Sequence, residues 1–446
     1  MNQQVRAGFA KIDITPPLDS IDAHGIGYWY QRAVRFTGVR DPLFVRTLVA
    51  GEGNFRQVII SVDSIFDSFG FSEDASARIS LALGIDKSRI FITFTHTHSS
   101  PLIDRNNTRR GVEYGSFVAD RIAHSAMKAD RNGVNATVSV CAGAVRDVLY
   151  NRRPLLSNGR VAELHVPATP GSVVDAGPVN DNMTIVKFRR DDGQFIGGFC
   201  HFGIHGVAVQ CSDLLSSDCM GRAIQAVERE AGNDLVLLHL NGPCGDIDPI
   251  LMGDDESLDI MTSRLADGIR EVANEKEELL QKPMPLRAFR GTFRARRRET
   301  RPAAILESER QALSKNAEGA ADIRHHSGAG YESFVLAEEH VVSTLPDEFD
   351  VPYQILRWGD LVLVGIGGEI FTYFGLALRA AWPGILILPV GLTGGAKGYL
   401  PAKEMFQQGG YEVTCAQWCP VAPGETEKLF AQLTGDLKSV VRSEAA

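Results

Sequence analysis

Along the chain, short runs of apolar or alternating residues are followed by stretches in which apolar positions recur every three or four residues, the spacings of strands and of amphipathic helices respectively. Runs at 57–63 and 89–94 read as strands, and the stretches after them, 72–83 and 112–130, as helices. That rhythm predicts an α/β fold. Further strands are expected at 136–145, 183–189, 195–202, 234–240, 353–358 and 361–366. Many of these are apolar along their whole length, as strands covered on both faces are. The expectation is a mixed β-sheet core flanked by helices. Between Glu275 and Asp350 the texture changes to a basic stretch, Arg294-Ala295-Arg296-Arg297-Arg298, and two helical segments, 303–315 and 332–345. This segment reads as a helical insertion or lid within one catalytic domain spanning 1–446, and the arginine run as a solvated strand edge.

Composition narrows the function classes. A chain of 446 residues with 44% hydrophobic content can bury a large core. A net charge of -9 and a pI near 5.7 argue against a nucleic-acid footprint or a polybasic membrane anchor. No apolar run is long enough to span a bilayer, and the segment Met1-Asn2-Gln3-Gln4-Val5-Arg6 lacks the apolar region of a secretory signal, so a cytoplasmic location is expected. Seven cysteines without a pairing framework fit a reducing compartment, and Cys415-x-x-x-Cys419 has no second pair with which to clip a metal. Glycosylation tripeptides at Asn106, Asn135 and Asn182 carry little weight without an export signal.

The candidate chemistry begins where the run 89–94 leads into Thr95-His96-Thr97-His98-Ser99. On a strand, His96 and His98 would project to one face and could meet one ion, imidazole being a common zinc ligand. The bland alternative is a strand end with two solvent-facing histidines. Cys200-His201-Phe202-Gly203-Ile204-His205-Gly206 ends another apolar strand in a histidine, and Ser217 or Asp218 reads as the N-cap of a helix running to Glu230. Asn241-Gly242-Pro243-Cys244-Gly245-Asp246-Ile247-Asp248-Pro249 is a glycine-rich turn after a strand, the place where α/β proteins set reactive groups. Leu363 to Phe371 reads as a strand and glycine turn opening a helix with Glu369 in its first turn; as a dinucleotide loop it fails, because the third glycine falls on Ile370.

Taken together with Ala7-Gly8-Phe9-Ala10-Lys11-Ile12-Asp13-Ile14-Thr15-Pro16, Asn151-Arg152-Arg153-Pro154 and the block from Gly398-Tyr399 to Tyr411-Glu412, these segments resemble, in order, the amino-terminal catalytic domain of the neutral/alkaline ceramidases, zinc-dependent amide hydrolases. The resemblance implies one zinc held by His96, His205, Glu369 and Tyr399. It implies His98 beside the ion as a proton-transfer group, and Arg152 and Tyr411 orienting the substrate's polar head. Arg153 stands where the family pattern has a small residue and is expected to be exposed.

Departures from the pattern shape the functional expectation. Asp248 occupies the position of the family's motif serine, where a carboxylate could act as general base or bind a second metal. With the sequence ending at residue 446, the family's carboxy-terminal β-sandwich domain is not expected. The expected activity is zinc-assisted hydrolysis of an amide (N-acyl) bond in a small-molecule or lipid substrate, with Asp248 or His98 taking the proton. The alternatives are a zinc-dependent lactonase or lyase acting on a small polar or sugar-derived substrate, and a non-catalytic binding protein.

Overall fold

The computed structural model describes residues 5–25, 34–67, 70–103, 109–164, 168–169, 171–209, 212–232, 234–280, 286–316 and 329–442. Eight strands, β1 (Val5–Asp13), β2 (Phe44–Glu52), β3 (Phe55–Val62), β4 (Ile90–Phe94), β5 (Val134–Ala144), β6 (Asn182–Arg189), β7 (Phe195–Phe202) and β8 (Val236–Asn241), form one sheet. Their order is β8-β7-β6-β5-β1-β2-β3-β4, with the two-residue strand Glu278–Leu279 added beside β5. Pairing is antiparallel except between β3 and β4 and between β7 and β8.

Helices cover the outer face of this sheet. Apolar residues of α1 (Phe71–Leu83) and α2 (Arg109–Arg131) pack with those of β2 to β4. Those of α3 (Asp218–Glu230) and α4 (Asp255–Ala273) pack on the other half. The inner face meets a second sheet, β9 (Leu286–Arg296), β10 (Glu348–Trp358), β11 (Leu361–Ile366) and β12 (Leu386–Val390), in that order. Between the sheets, Leu48, Ile59, Phe91, Phe199 and Leu238 share one core with Leu356, Trp358, Leu363 and Leu388. Between β9 and β10 the chain forms α5 (Ala303–Asn316) and α6 (Ala329–Thr344). The remaining face of the second sheet is covered by α7 (Thr372–Ala380) and α8 (Glu425–Arg442).

The mixed sheet with flanking helices agrees with the sequence expectation, and two differences have physical causes. The first is β2, whose apolar run is interrupted by Arg46. That residue is 1% exposed and is neutralised inside the protein by Asp63 (3.0 Å) and by Glu228 of α3 (3.0 Å). The second is that the segment read as a helical insertion opens with a strand, β9, in register with β10 from Leu286 opposite Trp358 to Arg296 opposite Glu348, while the start of the basic stretch lies on a sheet edge as read from the sequence. Exposed Arg294 and Arg296 alternate with buried Phe293 and Ala295, as expected of a half-buried edge strand.

What positions the site is the way the two ends of the first sheet come together. Ser61 Oγ of β3 donates to the His239 carbonyl of β8 (2.6 Å), and Asn241 Nδ2 at the end of β8 donates to the Thr95 carbonyl just past β4 (3.2 Å). From the second sheet, Thr393 just beyond β12 forms an antiparallel bridge to Thr93 of β4. Carboxyl ends of β4, β7, β8 and β11 thus lead into one region, the arrangement that favours a site in open α/β sheets.

Candidate active site

Strand β4 stops at Phe94, so His96 and His98 lie on the loop beyond it. His96 adopts φ +70°, a left-handed conformation that costs a non-glycine residue about 1–2 kcal/mol. The two histidines therefore do not share a strand face; the turn at His96 aims them. Their rings stand 4.9 Å apart, and the His98 backbone N–H donates to the Gly206 carbonyl (2.9 Å). At Gly206 a β-carbon would lie 2.6 Å from the His96 carbonyl oxygen, so only glycine allows the two loops to touch. Among the described residues, His96, His98 and His205 have ligand nitrogens that all lie within 4.8 Å of one another.

Each of two imidazoles has its Nδ1 tied to backbone. His96 Nδ1 bonds the Ile65 carbonyl at 2.8 Å, and His205 Nδ1 bonds the carbonyls of Cys244 (2.6 Å) and Ile247 (3.1 Å). With Nδ1 donating, the Nε2 lone pairs face the other way, which is how metal-ligating histidines are set. They face Glu369: Oε2 is 3.4 Å from His96 Nε2 and 3.2 Å from His205 Nε2. None of these three buried atoms makes a hydrogen bond. Buried polar atoms are rarely left so, and ligands at about 2.0–2.1 Å from one tetrahedral ion stand about 3.3 Å apart. The three donors therefore fit a metal. Burial, then Arg152 and His96, lowers His205 below 6.5, keeping it the neutral ligand.

Glu369 reaches this position differently from expectation. It lies in a two-residue strand, Glu369–Ile370, parallel to Tyr399–Leu400, and α7 starts only at Thr372. In-register neighbours on parallel strands project to the same side, so Tyr399 stands beside Glu369. Its hydroxyl oxygen accepts from Arg152 Nη2 (2.8 Å). Arg152 is 4% exposed and also donates to Asp248 Oδ1 (3.0 Å), Glu412 Oε1 (2.7 Å) and the Gly245 carbonyl (3.0 Å). Asp248 is fully buried, and its Oδ1 lies 3.9 Å from Nδ1 of His205. Tyr411 packs its ring against Tyr399 (5.9 Å) and stacks on Trp418 (5.1 Å), which in turn stacks on Phe334 of α6 (5.8 Å). All eight candidate residues thus fall in one neighbourhood.

Two expectations are corrected. Arg153 is buried at 7% exposure, ion-paired with Glu412 and bonded to the Gly409 carbonyl, so it is interior to the site. Of the two cap candidates Ser217 takes the N-cap position, without a side-chain cap bond, and Asp218 does not cap: at φ +58° its carboxylate accepts from the backbone N–H groups of Ala208, Val209 and Cys219 and fixes the loop after His205. Residues not singled out from sequence are Glu412, Asn151 and Asn241. Asn241 accepts from the Ile204 N–H (3.1 Å) and donates to Thr95 and Ile204 carbonyls, joining both histidine loops. An asparagine ending an apolar strand before glycine was its sequence signal. The six described cysteines are free, and Cys211 and the Asn106 tripeptide lie outside the described residues.

A mixed αββα arrangement with histidines and a carboxylate converging at the strand ends defines an α/β protein with a candidate metal site. Residues 5–262 match the family described as neutral/alkaline non-lysosomal ceramidase, N-terminal, and the chain belongs to that family. It is 26% identical over 232 residues to a neutral ceramidase of Oryza sativa and 25% identical to neutral ceramidase 1 of Arabidopsis thaliana. Each match covers 50% of this chain but 28% of the relative, so the alignment spans under a third of those proteins. The fold is that of neutral ceramidase from Pseudomonas aeruginosa, with a TM-score of 0.74 at 17% identity, over 100% of this chain and 76% of that one. A ceramidase complexed with C2 superposes with a TM-score of 0.73 at 15% identity, over 99% of this chain and 76% of that one.

Proposed function

We propose that this protein is a zinc-dependent hydrolase of an amide bond in an N-acyl compound. The observation that supports it most directly is the convergence of His96 Nε2, His205 Nε2 and Glu369 Oε2, buried and without hydrogen bonds, at ligand spacing. Two neutral imidazoles and one carboxylate suit zinc, with Tyr399 as the adjacent fourth donor. A zinc ion held there supplies Lewis-acid polarisation of a carbonyl and acidifies water to a pKa of about 7.

The chain's own groups divide the remaining work. His98, lowered well below 6.5 by burial and by His96 and His205, is neutral and accepts the proton of the attacking water. Asp248 is the weaker candidate for that step, because the oxygen facing the site already accepts from Arg152. The water oxygen bonds to the carbonyl carbon, the C–N bond breaks, and the proton held by His98 passes to the leaving amine. The helices α5 and α6, through Phe334 stacked on Trp418, are read as cover over the approach to Tyr411 and Tyr399.

The test is a screen of N-acyl amines of graded chain length, ceramide among them, with metal-replete and chelated protein in heavy-oxygen water. Release of a carboxylate carrying solvent oxygen, lost on chelation and restored by zinc, supports the reading. Cleavage without solvent oxygen would replace hydrolysis with elimination.

A further inference from the structure

Arg153 has no part in the chemistry above, yet its charge is buried directly behind it. Its side chain is 5% exposed, that of Glu412 2%, that of Arg152 2%, and Asp248 is fully buried. Two guanidinium groups and two carboxylates make a neutral cluster, as burial of this depth requires.

Within it the bonds are divided without overlap. Glu412 gives Oε1 to Arg152 Nε (2.7 Å) and Oε2 to Arg153 Nη1. Arg152 therefore meets Glu412 through Nε alone. Its Nη1 is left for Asp248 (3.0 Å) and its Nη2 for the Gly245 carbonyl (3.0 Å) and the Tyr399 hydroxyl (2.8 Å). Arg153 is itself held by the Gly409 carbonyl (2.8 Å) and, through its backbone N–H, by Asn151 Oδ1 (2.9 Å). A guanidinium facing an uncontested carboxylate prefers two parallel N–H···O bonds. If Oε2 were vacant, Arg152 would turn an Nη group onto Glu412 and release either Asp248 or Tyr399.

We propose that Arg153 is a positioning residue: by occupying the second oxygen of Glu412 it fixes Arg152 across Asp248 and Tyr399, and through Arg152 it sets the Tyr399 hydroxyl at the metal centre. Asp248 completes the arrangement from the opposite side. Four of the five Arg152 N–H donors are thereby committed inside the protein. The kinetic part of the test rests on the amide-hydrolase reading; the spectroscopic part does not.

The experiment uses the full chain labelled with nitrogen-15 arginine, the Arg152 signals being identified by their loss in Arg152→Lys. In the wild type, the Arg152 Nε–H and Nη–H resonances should be separate and slow to exchange. Arg153→Met, which keeps volume but not charge, should broaden them at unchanged metal content. Arg153→Lys, whose ammonium can still occupy Oε2, should retain them. On an N-acyl substrate, Arg153→Met should lower kcat by about 10²-fold, the scale of a misplaced catalytic group, with KM within about twofold, and Arg153→Lys should recover most of it. Unchanged Arg152 signals in Arg153→Met overturn the proposal. So does equal loss of signals and metal in both variants, which would make Arg153 purely structural. A wild type that holds Arg152 rigid but hydrolyses no N-acyl compound supports the positioning role while overturning the amide-hydrolase reading.

Discussion

Which nitrogen a histidine offers to an ion is decided by what its other nitrogen bonds. In His96 and His205 that decision is made by backbone carbonyls of Ile65, Cys244 and Ile247, on loops that the sequence does not mark as ligand supports. His201 and His239 show the opposite outcome from similar strands: each bonds a backbone carbonyl through Nε2, leaving Nδ1 without a hydrogen bond. The residue scale yields two predictions. Replacing His205 with Ala should abolish metal binding, read as metal per chain by elemental analysis in parallel with the wild type, because only His96 and Glu369 of the three convergent donors would remain. By contrast, His98→Gln should keep the metal and lower kcat by about 10²–10⁴-fold, the range of a lost proton-transfer group. Metal loss in His98→Gln would make it a ligand instead.

At the scale of elements, buried charge does what sequence patterning cannot express. Strand β2 carries Arg46 into the interior because Asp63, at the end of β3, and Glu228, on α3, meet it there, with Lys11 of β1 also on Glu228 (2.9 Å). Substituting Arg46→Met leaves two buried carboxylates short of their partner and should destabilise the fold by about 3–5 kcal/mol, measured by urea unfolding. The pair α5 and α6 is joined to the site by the row Phe334, Trp418, Tyr411 and Tyr399. Truncating Phe334 to Ala removes the outermost ring without touching the metal ligands. It should raise KM several-fold while metal content and kcat hold, and an unchanged KM would remove α6 from the substrate path.

For the whole molecule, stability should depend on pH through its neutral core histidines. Burial lowers both His201 and His239 to about 4, against 6.5 for the unfolded chain. Between those values the unfolded state binds more protons, so stability is complete above pH 6.5 and falls as pH drops toward 4. Each group accounts for about 3 kcal/mol across that window, at 1.36 kcal/mol per unit. Unfolding midpoints measured from pH 7 to 4 should drop steeply, and His201→Asn should flatten the slope by about one proton. Among the described residues no helix is long and apolar enough to cross a bilayer.

Much of this was legible in the chain because it depends on local pattern. Continuous apolar runs marked β4, β7, β8 and β11, and helical spacing marked α1, α2, α5 and α6 within a few residues of their observed limits. Polar residues after apolar strands drew notice to His96, His205 and Glu369, and the family resemblance joined them into one candidate site. What the pattern could not carry was anything fixed by partners distant in sequence. Arg46 in β2, Arg153 buried against Glu412, and Asp218 holding the loop after His205 are each stabilised by groups between 9 and 259 positions away. Sequence alone determined the strand and helix rhythm and set histidines and carboxylates beyond the apolar strands, because burial and spacing are written residue by residue. Only the tertiary structure decided that the two ends of one sheet meet, that Nε2 rather than Nδ1 faces Glu369, and that Asp248 is bound to Arg152, because those outcomes depend on which distant groups share a desolvated space.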